Sequence, residues 1–211
     1  FFPDALVNFV ALCGWNPGTD REIFSMSELI DAFSLERVNK AGAVFDYKKL
    51  DWMNGEYLKA RDPQALANVL MPTLRERGFP YIEPDYVASV VELVRERVAF
   101  LKDVPDFADY LFGDVLSPLT EEAAAALATN DTLRTALHTF RDGLTDAVVA
   151  DQDAFKALSQ QAADSAGMKM GAMMKPLRLV LTHREVGADL FRTITLLGTQ
   201  RCRSRLDAFL A

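Results

Sequence analysis

A lysine and a tryptophan three positions apart, Lys49 and Trp52, stand in the stretch Phe45-Asp46-Tyr47-Lys48-Lys49-Leu50-Asp51-Trp52-Met53-Asn54. On a helix, residues at that spacing share one face. An ammonium beside an exposed indole can hold a phosphate while the ring stacks on a sugar or a base. A second stretch, Lys175-Pro176-Leu177-Arg178-Leu179-Val180-Leu181-Thr182, sets one guanidinium among apolar residues. Both suit the binding of RNA rather than the making of bonds. A core tryptophan beside a solvated lysine, and an arginine that caps a helix or pairs with an acid, would leave the same residues in place.

Nothing else in the chain points to catalysis. There is no GxGxxG, GxxxxGK[ST], HxxH, HExxH or GxSxG. Glu121-Glu122 opens a helix, where the helix dipole accounts for paired acids. Cys13, Cys202, His138 and His183 have no zinc-ligand spacing. Two scattered cysteines suit a reducing cytoplasm, and no apolar run reaches the roughly 18 to 20 residues of a membrane span. The chain starts Phe1-Phe2-Pro3, without an initiator methionine, as a fragment would.

A net charge of −7 argues against a polyanionic partner, but its distribution does not. From Met168 onward eight bases (Lys169, Lys175, Arg178, Arg184, Arg192, Arg201, Arg203, Arg205) face three acids (Glu185, Asp189, Asp207). An acidic body with one basic end can take a polyanion by that end alone. Arg201, Arg203 and Arg205 could equally just complement the dipole of a C-terminal helix.

The elements that must hold these residues read as helix after helix, so the expected fold class is all-α. Pro3 begins a helix that Gly14 ends, and Ser27 to Phe33 forms a short one capped by Ser25 or Ser27. Lys48 to Ala60 and the segment from Pro63 to Gly78 come next, with an apolar, extended piece at residues 42–45 before them. Glu83-Pro84-Asp85 opens a helix expected to run to Leu101 on a stripe of Val87, Val90, Val91, Val94 and Val98. Three alanine-rich helices are expected between Thr120 and Ser165, broken at Asn130-Asp131 and Ala150-Asp151. Gly167 and Gly171 interrupt before a helix starting at Pro176, and Gly187 and Gly198 punctuate the rest. A division near residues 115–119 would give two helical subdomains, 1–115 and 116–211, the second a compact bundle.

Gly42-Ala43-Val44-Phe45-Asp46, Lys48-Lys49-Leu50 and Trp52-Met53-Asn54 resemble, almost position for position, the tRNA stem-contact module of the bacterial glutamyl-tRNA synthetases, a class I family. Pro3-Asp4-Ala5-Leu6-x-Asn8 and Leu12-x-Gly14-Trp15 match the family upstream of it. Lys-Pro-Leu-Arg with Leu-Thr behind it is similar to the family's anticodon-binding helix. Gly187-Ala188-Asp189-Leu190-Phe191 and Leu196-Leu197-Gly198 are similar to the family's segment downstream of that helix. His183 stands where the family usually has glycine, and Ala188 where it often has proline.

The resemblance implies that Lys49, Trp52 and Lys59 touch tRNA on the inner side of its L. It implies that Arg178 contacts the anticodon loop, and that Gly187, Leu190 and Phe191 pack against splayed bases. Arg97, on the helix ending Arg95-Glu96-Arg97, is expected to read the third anticodon base, with Arg95 the competing choice. The implied partner is tRNA-Glu, bound by a cytoplasmic monomer. The implied parent enzyme uses ATP and magnesium. Its ATP-binding signatures, one ending in Gly-His and one carrying lysine and serine, do not occur here, so this fragment is expected to hold no cofactor and to be inactive alone. A general helical RNA-binding module and a helical protein–protein scaffold remain the other readings.

Overall fold

The computed structural model describes residues 1–39, 42 and 44–211, and among them it is all-α. Ala43, within the expected extended piece, lies outside the described residues. The first three helices are α1 (Pro3–Gly14), α2 (Met26–Ala32) and α3 (Tyr47–Ala60). Ser25 caps α2 in a reciprocal box with Glu28, and Asp46 caps α3 by accepting from the amides of Lys48 and Lys49. Leu50, Met53, Tyr57 and Leu58 form the buried side of α3. The Asn8 Oδ1 buried beneath it accepts from Phe24 N (2.9 Å) and the Tyr57 hydroxyl (2.8 Å).

Next come α4 (Pro63–Glu76) and α5 (Pro84–Val94), each with proline in its first turn. The short helices α6 (Val104–Phe107) and α7 (Asp109–Phe112) lie beyond them. The remaining bundle comprises α8 (Glu121–Ala128), α9 (Asp131–Gly143), α10 (Asp146–Ala150), α11 (Gln152–Ser165), α12 (Met170–Thr182) and α13 (Leu190–Leu210). One buried apolar cluster runs from Leu58 on α3 to Leu210 on α13, and so crosses the division expected near residue 115. Two small clusters, Phe9/Leu50/Met53 and Trp15/Phe24/Leu29, hold the N-terminal helices separately.

Three boundaries differ from the sequence reading. The helix expected to reach Leu101 ends at Val94. The chain turns through Arg95–Arg97 and crosses α3, where Asn54 Nδ2 donates to Ala99 O (2.5 Å) and Ala99 Cα lies 3.6 Å from where a Gly55 side chain would begin. The crossing residues are not helical and Phe100 after them is extended, so tertiary packing overrides the valine period. Between Thr120 and Ser165 there are four helices rather than three. The extra break comes after Gly143, whose missing side chain leaves room for Leu158, and Thr145 then caps α10. Finally, Gly171 and Pro176 lie inside α12 instead of ahead of it. Pro176 removes one helical hydrogen bond there without ending the helix.

Candidate nucleic-acid interface

On α3 the positions 49, 52, 56 and 59 line one face, opposite the buried one. Trp52 is 45% exposed, so the indole is a surface group and not core. Its flanking lysines are both compensated. Lys49 pairs with Glu22, and Lys59 with Glu56 and, at 3.7 Å, with Glu96. The hydrogen bond to Glu56 holds the Lys59 proton more tightly than usual, reinforced by the charges of Glu56 and Glu96. These half-exposed pairs contribute little stability, and an RNA phosphate would have to compete with carboxylates for both ammonium groups.

A second site forms where the end of α5, the start of α11, the middle of α12 and the α12–α13 loop converge. They enclose an open groove of about 590 Å³, lined by Arg97, Arg178, Gly187, Leu190 and Phe191 among others. Five of the eight sequence-predicted residues therefore meet in one place. The turn that ends α5 early separates Arg97 from Arg95. The Arg95 guanidinium donates inward to Arg61 O (3.3 Å), while Arg97 is exposed at the groove, past the helix end and not on the helix as expected.

The Arg178 Nη1 donates to Ala188 O at 2.6 Å, which fixes the guanidinium against the loop. A side chain at Gly187 would begin 3.0 Å from that nitrogen and 3.7 Å from the Tyr110 hydroxyl buried beneath. A side chain here would crowd the arginine, and glycine leaves it room. The Leu190 side chain is 8% exposed and belongs mainly to the core, whereas Phe191 is half-buried at the groove and packs on Phe155, ring centroids 5.5 Å apart.

His183 ends α12 in the left-handed conformation, φ 53°, which is why glycine suits this position. The imidazole Nδ1 lies 2.7 Å from Ser117 O, a contact that helps hold an otherwise disfavoured backbone. Ala188 is buried and supplies the carbonyl that Arg178 grips.

Four arginines of the basic C-terminal stretch turn toward the protein, whereas Lys169, Lys175 and Arg192 stay exposed. Arg205, 8% exposed, donates to Leu181 O (2.6 Å), Tyr110 O (2.7 Å) and Gly113 O (2.9 Å). Arg201 reaches Tyr110 O, Leu111 O and Gly113 O, stacks 4.0 Å over Tyr81, and pairs with Asp114 at 3.3 Å. Burial, then repulsion from Arg201, makes Arg205 easier to deprotonate than an ordinary arginine. Arg184 binds Asp109 (2.8 Å) and Asp106 O (3.1 Å), and Arg203 reaches Asp142 O (3.3 Å). The charge reading is corrected accordingly. These four arginines tie helices together, and neither a polyanion surface nor their own helix dipole explains them. No local signal marked them, nor the groove-lining Gln152, Phe155 and Lys156.

Residues 65–210 match the family described as the anticodon binding domain. The chain belongs to that family. Residues 1–52 match the catalytic domain of class I tRNA synthetases (E and Q), so the two matches meet between the middle of α3 and the start of α4. The anticodon-binding domain carries the groove, and the Trp52 face lies at the end of the other match. The chain is 36% identical over 211 residues to the glutamate–tRNA ligase of Heliobacterium modesticaldum, spanning 98% of this chain and 42% of that protein. It is 35% identical over 219 residues to that of Thermobifida fusca, spanning 45% of that protein. The chain thus spans under half the length of the curated relatives it matches. The crystal structure of a glutamate tRNA ligase from Elizabethkingia meningosepticum, in complex with its amino acid, superposes with a TM-score of 0.83 at 26% identity, covering all of this chain and 41% of that one.

Proposed function

We propose that this chain is the tRNA-gripping portion of a cytoplasmic glutamate–tRNA ligase and that its ligand is tRNA-Glu. The observation that carries the proposal is the groove, which brings Arg97, Arg178 and the Gly187–Phe191 loop together inside an anticodon-binding domain. Splayed loop bases would lie on Phe191 and the loop backbone, since RNA sequence is read from unstacked bases. Arg97 offers only donors. It matches the O2 and N3 acceptors of cytosine, which ends glutamate anticodons, and opposes the N1–H and N2–H of guanine, which ends glutamine anticodons. Trp52, between Lys49 and Lys59, would stack on the inner side of the tRNA once phosphates displace Glu22 and Glu56 from the lysines. ATP, magnesium and the glutamyl transfer belong to the rest of the parent enzyme, and these residues supply placement and specificity.

The test is binding of the chain to tRNA-Glu and to a variant whose anticodon ends in guanine. Three or four phosphate contacts should weaken binding about 20- to 150-fold between about 50 and 200 mM salt. Arg97→Gln, able to meet either base edge, should narrow the preference for cytosine by about 1 to 3 kcal/mol, or 5- to 150-fold. Arg95→Gln should not. Equal affinity for unrelated RNAs would point instead to a general helical RNA-binding module, and no binding at low salt to a protein scaffold.

A further inference from the structure

The groove has a wall that neither the motifs nor the resemblance marked. Gln152, Phe155 and Lys156 occupy positions i, i+3 and i+4 at the start of α11 and so share one face, which lines the groove. Phe155 is 7% exposed, anchored against Phe140 and Phe191, and fixes the direction of that face. Gln152 and Lys156 flank it in solvent. Among the described residues Gln152 has no hydrogen-bonded side-chain partner, and Lys156 meets only Asp153, at 3.6 Å, with 58% of its side chain exposed. Two other cations at the groove are more committed: Lys175 pairs with Glu185 at 2.9 Å and Arg178 holds Ala188 O. The volume, about 590 Å³, lies in the range that holds a drug-sized ligand, and so admits more than a single base.

We propose that this face of α11 is a second RNA-contacting wall, in which Lys156 neutralises a backbone phosphate of the anticodon loop and Gln152 hydrogen-bonds a base edge across from Arg178. The inference rests on the RNA-binding reading above. A lysine positions as a point charge and carries no sequence information, whereas a glutamine amide brings one donor group and one acceptor to a base. The two residues therefore have separable signatures.

The experiment measures binding of an anticodon stem-loop RNA with the glutamate anticodon to the 211-residue chain, by fluorescence anisotropy across a salt series. Lys156→Ala should weaken binding about three- to fivefold near 150 mM salt, for every loop sequence alike. It should make the log–log salt slope shallower by between about 0.7 and 1, and Lys156→Arg should restore both. Gln152→Ala should leave the slope unchanged and alter the ranking of single-base loop variants. Both positions are exposed, so melting temperatures should stay at the wild-type value. If Arg178→Ala impairs binding while Lys156→Ala changes neither affinity nor slope and Gln152→Ala leaves the ranking intact, the α11 wall is refuted and the groove stands. If the wild-type chain fails to bind the stem-loop, or Arg178→Ala is silent as well, the groove falls and the wall with it.

Discussion

Replacing Arg205 by methionine should destabilise the fold strongly although no RNA contact is lost. The guanidinium makes three hydrogen bonds of 2.6 to 2.9 Å to carbonyls at the C-terminal ends of α7 and α12, groups left without partners inside their own helices. Arg201 still reaches Tyr110 O (3.1 Å) and Gly113 O (3.0 Å) in the variant, so only Leu181 O is left bare. Against the lost bonds stands the desolvation of a cation beside Arg201, which methionine relieves. Three bonds to a charged group contribute about 1.5 to 3 kcal/mol each, and one orphaned carbonyl costs about 1 to 3. Relief of a desolvation penalty of several kcal/mol offsets much of this and leaves a net loss of about 2 to 4 kcal/mol. At about 2 to 4 °C per kcal/mol for a chain of this size, the melting temperature should fall by about 5 to 15 °C. The assay is thermal or urea unfolding monitored by circular dichroism, with exposed Arg192→Met as control, expected to stay within about 0.5 kcal/mol of wild type. A loss at Arg205 no larger than the control's would refute the assignment of this arginine to the helix ends.

Trp52→Ala should weaken binding of whole tRNA-Glu by about 1 to 3 kcal/mol through lost stacking; a drop in melting temperature with no change in affinity would return the indole to a packing role. Gly187→Ala should lower the melting temperature by about 2 to 12 °C, because crowding the Arg178 guanidinium costs the buried Ala188 its carbonyl's charged partner. The same change should cost stem-loop affinity several-fold by shifting that guanidinium off Ala188 O, and unchanged affinity would remove Arg178 from the interface. In the α2 cap, hydrogen bonds from Arg21 first and the Ser25 amide next lower the Glu28 carboxyl from 4.5 to about 2. Its contribution is therefore complete above pH 4.5 and lost as pH falls through about 2. A Glu28 titration midpoint near the ordinary glutamate value, read by NMR, would contradict the bonds from Arg21 and the Ser25 amide to this carboxylate.

The register of α3 was legible in the sequence because local and tertiary signals agree there. Asp46 caps it, Leu50, Met53, Tyr57 and Leu58 point one way, and Lys49, Trp52 and Lys59 point the other. The end of α5 was not legible, because Val98 continues the apolar period of Val90 and Val94 by coincidence. What stops the helix is Ala99 pressed against Gly55 and Asn54, more than forty residues earlier in the chain. Gly143 and Thr145 did carry a readable break, hidden because Leu137, Phe140, Leu144 and Val148 keep a helical period across it. Arg97, Arg178 and the Gly187–Phe191 segment were found through the resemblance, yet no single-element pattern reports that they converge. Gln152 and Lys156 have helical spacing but ordinary residue types, so only their position across the groove gives them meaning.

Charge shows most clearly what one dimension hides. Read along the sequence, the arginines after Met168 look like a surface for a polyanion, and in space most of them serve backbone carbonyls. The pattern extends beyond that stretch, since Arg134 on α9 reaches Leu210 O (2.6 Å) and Phe209 O (3.4 Å) at the end of α13. Helices that stop against one another in a core leave carbonyls that water does not reach, and a long, donor-only side chain can satisfy several at once. Arginine near a helix end is thus spent on architecture before it is available to a ligand. In the groove proposed for the anticodon loop, the lining cations are Arg97, Lys156, Lys175 and the remainder of Arg178. They come from three separate elements of an acidic chain, and the positive field they make exists only once α5, α11 and α12 have packed.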